Sequence, residues 1–219
     1  EGWTFRQIVK LIRKNPKIRQ DLKNLNSEEI MNMLGYTNVH PEGRFFPDTY
    51  FFSKETSDVD ILKRAYKKMD QQLNMAWEAR KNKNINIKTK YEALILASII
   101  EKETSLPSER EIISGVFMRR LGLKMKLQTD PTVIYGMGDN YKGNIRRKDL
   151  REKNPYNTYV NKGLTPTPIC MPGRASINAA LNPKAGKELY FVSKGDGSHI
   201  FSETLKQHNR AVRKYQLKK

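Results

Sequence analysis

Helical spacing dominates the apolar positions of this chain. Thr4 and Gln7 form a capping pair ahead of Ile8, Val9, Leu11 and Ile12, and Asn15-Pro16 stops that helix. A second short helix is predicted from Ser27 to Leu34, ending at Gly35. Pro41-Glu42-Gly43-Arg44 reads as a turn, with Phe45-Phe46 and Asp48-Thr49-Tyr50-Phe51-Phe52 as short extended pieces around Pro47. Val59, Leu62, Ala65, Tyr66, Met69, Leu73, Ala76 and Trp77 repeat at three-and-four spacing and predict the clearest helix, with a Lys-rich outer face.

The next helix is apolar on nearly every side. Thr89 and Glu92 make the reciprocal capping pair that opens it, and Ala93-Leu94-Ile95-Leu96-Ala97 follow, so a central, buried helix is expected. Leu94, Ala97, Ser98 and Glu101 share one face, while Lys102 is turned roughly 100° away. Glu101 therefore leaves an apolar surface at a helix C-terminus. Lost hydration and the partial negative charge of that terminus both favour its protonated form, the state of a general acid. The alternative is that Glu101 marks where the helix reaches solvent, or pairs with an arginine such as Arg110. Glu103, two positions on, points to another side and reads as a salt bridge or cap.

Ser108 and Glu111 are expected to cap a helix carrying Ile112, Ile113, Val116, Phe117 and Leu121 up to Gly122. Gln128 to Thr132 forms a polar loop, and Asp130 or Thr132 is placed to cap a short helix through Tyr135. The Gly-, Asn- and Pro-rich region from Gly136 to Gly173 has few apolar periods, and loops of that length in a compact domain are functional or flexible. A brief helix over 176–181 precedes a hairpin in which Leu189 to Val192 and His199 to Phe201 flank Lys194-Gly195-Asp196-Gly197. A basic amphipathic helix, Leu205 to Tyr215, closes the chain. The whole predicts a helix-rich α+β domain with short strands and a C-terminal β-hairpin.

Charge and chemistry narrow this picture. Forty-one Lys plus Arg against 23 Asp plus Glu leave a net +18, compatible with nucleic acid, an anionic membrane surface or a carboxylate-bearing polymer, and equally with drift towards Lys, Asn and Ile. Nothing resembles a helix-turn-helix or an aromatic RNA-binding signature, so no nucleic-acid partner is expected. One cysteine, Cys170, excludes an internal disulfide, and with three histidines it argues against a structural zinc; neither metal nor cofactor is expected. No run approaches the roughly 18 apolar residues of a membrane span. His199 and His208 read as surface or capping residues, and Gly136-Met137-Gly138 as a turn rather than a dinucleotide loop. In Pro155-Tyr156-Asn157-Thr158-Tyr159, tyrosine faces suited to sugar rings stand beside hydrogen-bonding Asn and Thr; a braced Asn turn is the equal alternative.

Five segments, in order, resemble the MltG (YceG-like) endolytic peptidoglycan transglycosylases: Glu42 to Tyr50, Ala97 to Thr104, Leu127 to Gly136, Pro155 to Tyr159, and Tyr190 to Phe201. The resemblance implies a lyase that cuts the MurNAc-GlcNAc bond of nascent strands, leaves 1,6-anhydro-MurNAc ends and so terminates elongation. It places the family's essential Glu on Glu101, with Gln128, Asp130, Tyr135, Asn157, Thr158 and Tyr159 as substrate-binding candidates. Asp130 before Pro131 is also a good turn. It further implies a helical lead-in over 1–36 after a LysM-like module, and a catalytic domain over 37–219. An N-terminal anchor ahead of residue 1 would hold the protein, single-pass, in the bacterial inner membrane, facing the extracytoplasmic space near the peptidoglycan synthases. Gly163-Leu164-Thr165-Pro166 departs from the family's usual Gly-Leu-Pro-Pro. A hydrolytic muramidase and a non-catalytic peptidoglycan-binding module are the alternatives.

Overall fold

The computed structural model describes residues 1–83 and 85–217. Its elements run α1 (Phe5–Arg13), α2 (Ser27–Leu34), α3 (Asp58–Glu78), α4 (Lys90–Glu103), α5 (Pro107–Gly122), α6 (Asp130–Met137), α7 (Arg174–Leu181), β1 (Tyr190–Ser193), β2 (His199–Ser202) and α8 (Leu205–Tyr215). The fold is α+β. Capping boxes open α1, α2, α3, α4 and α8, each a Ser, Thr or Asn with an acid or amide three residues on. Gly35 ends α2 at φ 89°, where a side chain would be strained. Among the described residues no helix is long and apolar enough to cross a membrane.

Two apolar cores share α3. Its first half sends Ile61, Leu62, Ala65 and Tyr66 into a core with α1, α2 and Phe45, while Met69, Leu73 and Ala76 enter the core around α4. All residues from Ala93 to Ile100 are buried, as the sequence predicts for a helix apolar on every side. The short α7 lies against α4 and α5. Beyond them the antiparallel β1–β2 pair, in register Tyr190 to Ser202 through Ser193 to His199, supports α8.

Three local expectations change. The residues around Pro47 form no strand: Pro47 lacks a donor, and Phe46 instead gives its N–H to the Ala65 carbonyl at 3.0 Å. Phe45 and Phe46 point into different cores, which extended backbone permits. Helix α5 begins at Pro107, without the Ser108 cap, because proline at the first position already has the required φ and no N–H to satisfy. Thr129 takes the N-cap position of α6, so Asp130 is its first residue. Gly43 has φ 79°, and a Cβ there would lie 2.5 Å from Pro168, so this turn needs glycine to pass against Pro168.

Candidate active site

Three consecutive residues at the end of α4 meet three different environments. Successive side chains on a helix diverge by about 100°, so Glu101, Lys102 and Glu103 cannot share a site.

Glu101 is held inside the protein. Its Oε2 accepts the Gly173 N–H at 2.9 Å, and the Arg110 guanidinium stands 3.7 Å from Oε1. Gly173 is the N-cap of α7, which has no side-chain cap of its own, so the carboxylate sits where a helix N-terminus favours negative charge. The side chain is only 6% exposed, and its burial is met by two groups that stabilise the anion. The face that the sequence assigns to Glu101 is real, and it is covered by the chain after Pro168. Ser98 Oγ accepts the Ile169 N–H at 2.9 Å and donates to the Ile95 carbonyl at 2.7 Å, while Cys170 Sγ donates to the Ser98 carbonyl. Ser98→Ala would strand the Ile169 N–H in a sealed core, at a cost of about 1–3 kcal/mol. A urea melt checks this, and an unchanged midpoint would show that the amide has another partner.

Glu103 faces outward into a groove of about 490 Å³, walled by the 127–130 loop, β1, the start of β2 and α8. Thr129 donates its hydroxyl to the Glu103 carboxyl. Burial pushes Glu103 up to about 7, and the nearby Asp130 carboxylate adds to this; the Thr129 hydrogen bond, His199 and the Arg120 guanidinium pull the other way. Glu103 is also the last residue of α4, where the helix dipole opposes a carboxylate. These properties belong to a general acid that releases its proton near neutral pH.

Around Glu103 the groove collects Gln128, Asp130, Tyr159, Tyr190, Arg120, His199 and His208. Gln128 has φ 52°, an unusual conformation for a side-chain-bearing residue. It is imposed from both sides, since Gln128 N–H bonds the Thr158 carbonyl at 3.2 Å and Thr129 N–H bonds Thr158 Oγ1 at 3.0 Å. Tyr159 donates to Asp130 at 2.6 Å, and burial raises its phenol well above the ordinary range, so it stays a donor. Arg120 is fixed by the carbonyls of Leu189, Lys126 and Leu127, with the Tyr190 ring 5.2 Å away. His208 stacks on Tyr190 at 5.3 Å.

Of the sequence candidates, Gln128, Asp130 and Tyr159 line the groove. Asn157 and Thr158 do not reach it. Asn157, 1% exposed, donates to the carbonyls of Asp149 and Glu152 and accepts the Tyr159 N–H; Thr158, 2% exposed, bonds Thr129 and Thr132. The second reading of that segment, a braced Asn turn, is what the chain adopts, because a short polar side chain satisfies a tight loop better from inside. Tyr135 lines another cleft, beside Lys102, where its hydroxyl donates to Glu42 at 3.1 Å. Burial pushes Glu42 up to about 7 despite hydrogen bonds from Phe5, Tyr135 and Gly43. The sequence does not single out Glu103, Arg120, Tyr190, His199 or His208 as site residues. The signal for Glu103 was its 200° offset from a fully packed face. The others gather only when the hairpin and α8 fold across α5. Among the described residues no three His, Cys, Asp or Glu side chains converge as metal ligands.

The YceG-like family model matches residues 1–214. An endolytic murein transglycosylase of Bacillus subtilis is 38% identical over 216 residues, covering 97% of this chain and 59% of that protein. The protein of the same description from Streptococcus pneumoniae is 30% identical over 176 residues, covering 78% of this chain and 31% of its own length. The chain thus spans about three fifths or less of these relatives. A crystal structure of a YceG-like protein from Listeria monocytogenes superposes with a TM-score of 0.80 at 34% identity, covering 96% of this chain and 73% of the other. The overall fold is therefore a shared one, and the chain belongs to the YceG-like family.

Proposed function

We propose that this chain is the catalytic portion of an endolytic peptidoglycan transglycosylase, and that Glu103 is its acid and base. The observation that carries this is a partly buried carboxyl, pushed up to about 7, on the wall of an open groove lined by tyrosines and amide or hydroxyl groups. Glu101, the sequence candidate, is already engaged by Gly173 and Arg110 and has no path to that groove. That the relatives are endolytic murein transglycosylases supports the substrate class.

In this reaction Glu103 gives its proton to the oxygen of the MurNAc-GlcNAc bond. The C6 hydroxyl of the same muramic residue attacks the anomeric carbon, and its proton passes to the Glu103 carboxylate. The product is a 1,6-anhydro end, no water is consumed, and one carboxyl serves both steps. The Asp130 carboxylate faces the positive charge that develops at the anomeric carbon, and Tyr159 keeps it aimed. Tyr190 and Tyr159 offer faces to the sugar rings, and Gln128 a polar contact to an acetamide. Residues 1–36 act as a lead-in from an N-terminal membrane anchor and module, which place the groove at the outer face of the inner membrane, beside the synthases whose strands it cuts.

Digestion of uncrosslinked glycan strands, with ends identified by mass spectrometry, tests this reading. Anhydro ends are expected. Reducing ends would make the enzyme a hydrolase, a reading favoured by Asp130, which supplies a second carboxylate in the same groove. Strand binding without cleavage would make it a binding module.

A further inference from the structure

The groove holds a second buried hydrogen-bonded unit that the mechanism above does not use. His199, the first residue of β2, gives its main-chain N–H to Glu109 Oε1 at 2.8 Å, and its ring Nδ1 lies 2.7 Å from Glu109 Oε2. Thr104 donates to that same oxygen at 3.2 Å. Both side chains of the pair are 10% exposed. Phe191 meets the imidazole edge-on at 5.4 Å, and Phe201 lies 6.4 Å away, so the ring is fixed in position and tilt.

This arrangement dictates the tautomer. Burial alone would push Glu109 up, but hydrogen bonds from His199 and Thr104 outweigh it and hold the carboxyl below its ordinary range. An ionised Glu109 only accepts, so Nδ1 carries a proton, and in the neutral ring Nε2 keeps its lone pair. Nε2 makes no hydrogen bond among the described residues and is not one of the sealed polar atoms, while the residue lines the groove with Glu103. The other polar groups there are differently committed. Asp130 is bound by Tyr159, Arg120 is spent on three carbonyls, and the Gln128 side chain makes no hydrogen bond among the described residues.

We propose that His199, oriented by Glu109, is a further catalytic residue of this groove: its free Nε2 accepts a hydrogen bond from the muramic C6 hydroxyl and aims that oxygen at the anomeric carbon. The inference rests on the transglycosylase reading. The bond from C6 oxygen to the anomeric carbon forms as the bond from that carbon to the leaving oxygen breaks. The Glu103 proton goes to the leaving oxygen, and the hydroxyl proton goes to Nε2 and from there to the Glu103 carboxylate. His199 ends the cycle with the protons it began with; its contribution is orientation, which decides whether the sugar's own hydroxyl or a water reaches the cation first.

The test is the ratio of anhydro to reducing ends, measured on uncrosslinked strands for wild type, His199→Ala, His199→Gln and Glu109→Gln, alongside turnover and a thermal melt. His199→Ala should lower turnover by roughly 10- to 100-fold and shift the end ratio about tenfold towards reducing ends. His199→Gln, which keeps an acceptor, should recover part of the ratio, and Glu109→Gln, which keeps the contact but not the charge, should lie between it and wild type. A wild-type ratio in His199→Ala overturns the proposal, whether turnover is kept or lost, because a brace between α5 and the hairpin would change rate and melting without changing which nucleophile wins. If His199→Ala does not fold, a wild-type ratio in His199→Gln together with Glu109→Gln overturns it equally. Reducing ends from the wild-type protein would instead sink the transglycosylase reading itself.

Discussion

Glu103→Gln is expected to reduce turnover on glycan strands by roughly 10³-fold or more while leaving a folded protein, since general acid–base catalysis contributes on this scale and an amide neither gives nor returns the proton. Glu101→Gln provides the contrast. It weakens the tie from α4 to Gly173 and Arg110, so its melting temperature should fall while folded molecules keep turnover within a few-fold of wild type. The reverse outcome, an active Glu103→Gln and a dead but folded Glu101→Gln, would return the catalytic role to Glu101. The pH profile carries a second signature. The reaction begins from protonated Glu103, so activity should fall as pH rises through about 7. Stability has the same direction. A carboxyl whose folded pKa lies above its unfolded one binds more protons in the fold, so the stability it contributes is full below about 4.5 and is lost as pH climbs to about 7. Glu103→Gln removes that burden and should melt no lower than wild type at pH 8, possessing the stability that the active carboxyl sacrifices.

Phe117→Ala is expected to cost about 3–5 kcal/mol, the range for deleting a buried aromatic ring, and to lower the melting temperature by roughly 10 °C. Phe117 is fully buried in the core around α4, and its ring meets Phe191 of β1 edge-on, with centroids 5.8 Å apart. Phe191 in turn packs against Phe201 and His199, so the contact fastens the hairpin wall of the groove to α5. Turnover should therefore fall further than loss of folded protein explains. Met31→Ala, a deletion in the core built by α1, α2 and the first half of α3, should cost about 2–5 kcal/mol with no such surplus loss at 25 °C. Equal turnover per folded molecule in the two variants would show that the hairpin holds its place without Phe117.

The helices were legible because their ends are written locally. Thr4 with Gln7 and Thr89 with Glu92 are short-range hydrogen-bonding devices, and the observed N-caps fall on those residues. The hairpin was legible for the same reason, from Lys194 to Gly197 between two β-rich runs. The 45–52 segment was not, since extended residues become a strand only when another edge is present to pair with, and here Pro47 and the docking of Phe46 on α3 take its place.

By itself the sequence determined that a buried helix ends in Glu101-Lys102-Glu103, and that a polar loop, a tyrosine-rich loop and a hairpin accompany it. It could not determine which carboxyl is the acid. Periodicity fixes which residues share a face, but a helix apolar on all sides gives no indication of which face stays open. The tertiary structure separates the two by laying the 169–173 segment and α7 over Ser98 and Glu101, and by bringing Thr129, Asp130, His199 and α8 around Glu103, the difference on which Glu103 is proposed as the acid. The physical reason is that a carboxyl's proton affinity depends on what surrounds it within a few ångströms, and those surroundings come from segments up to about a hundred residues away in the chain.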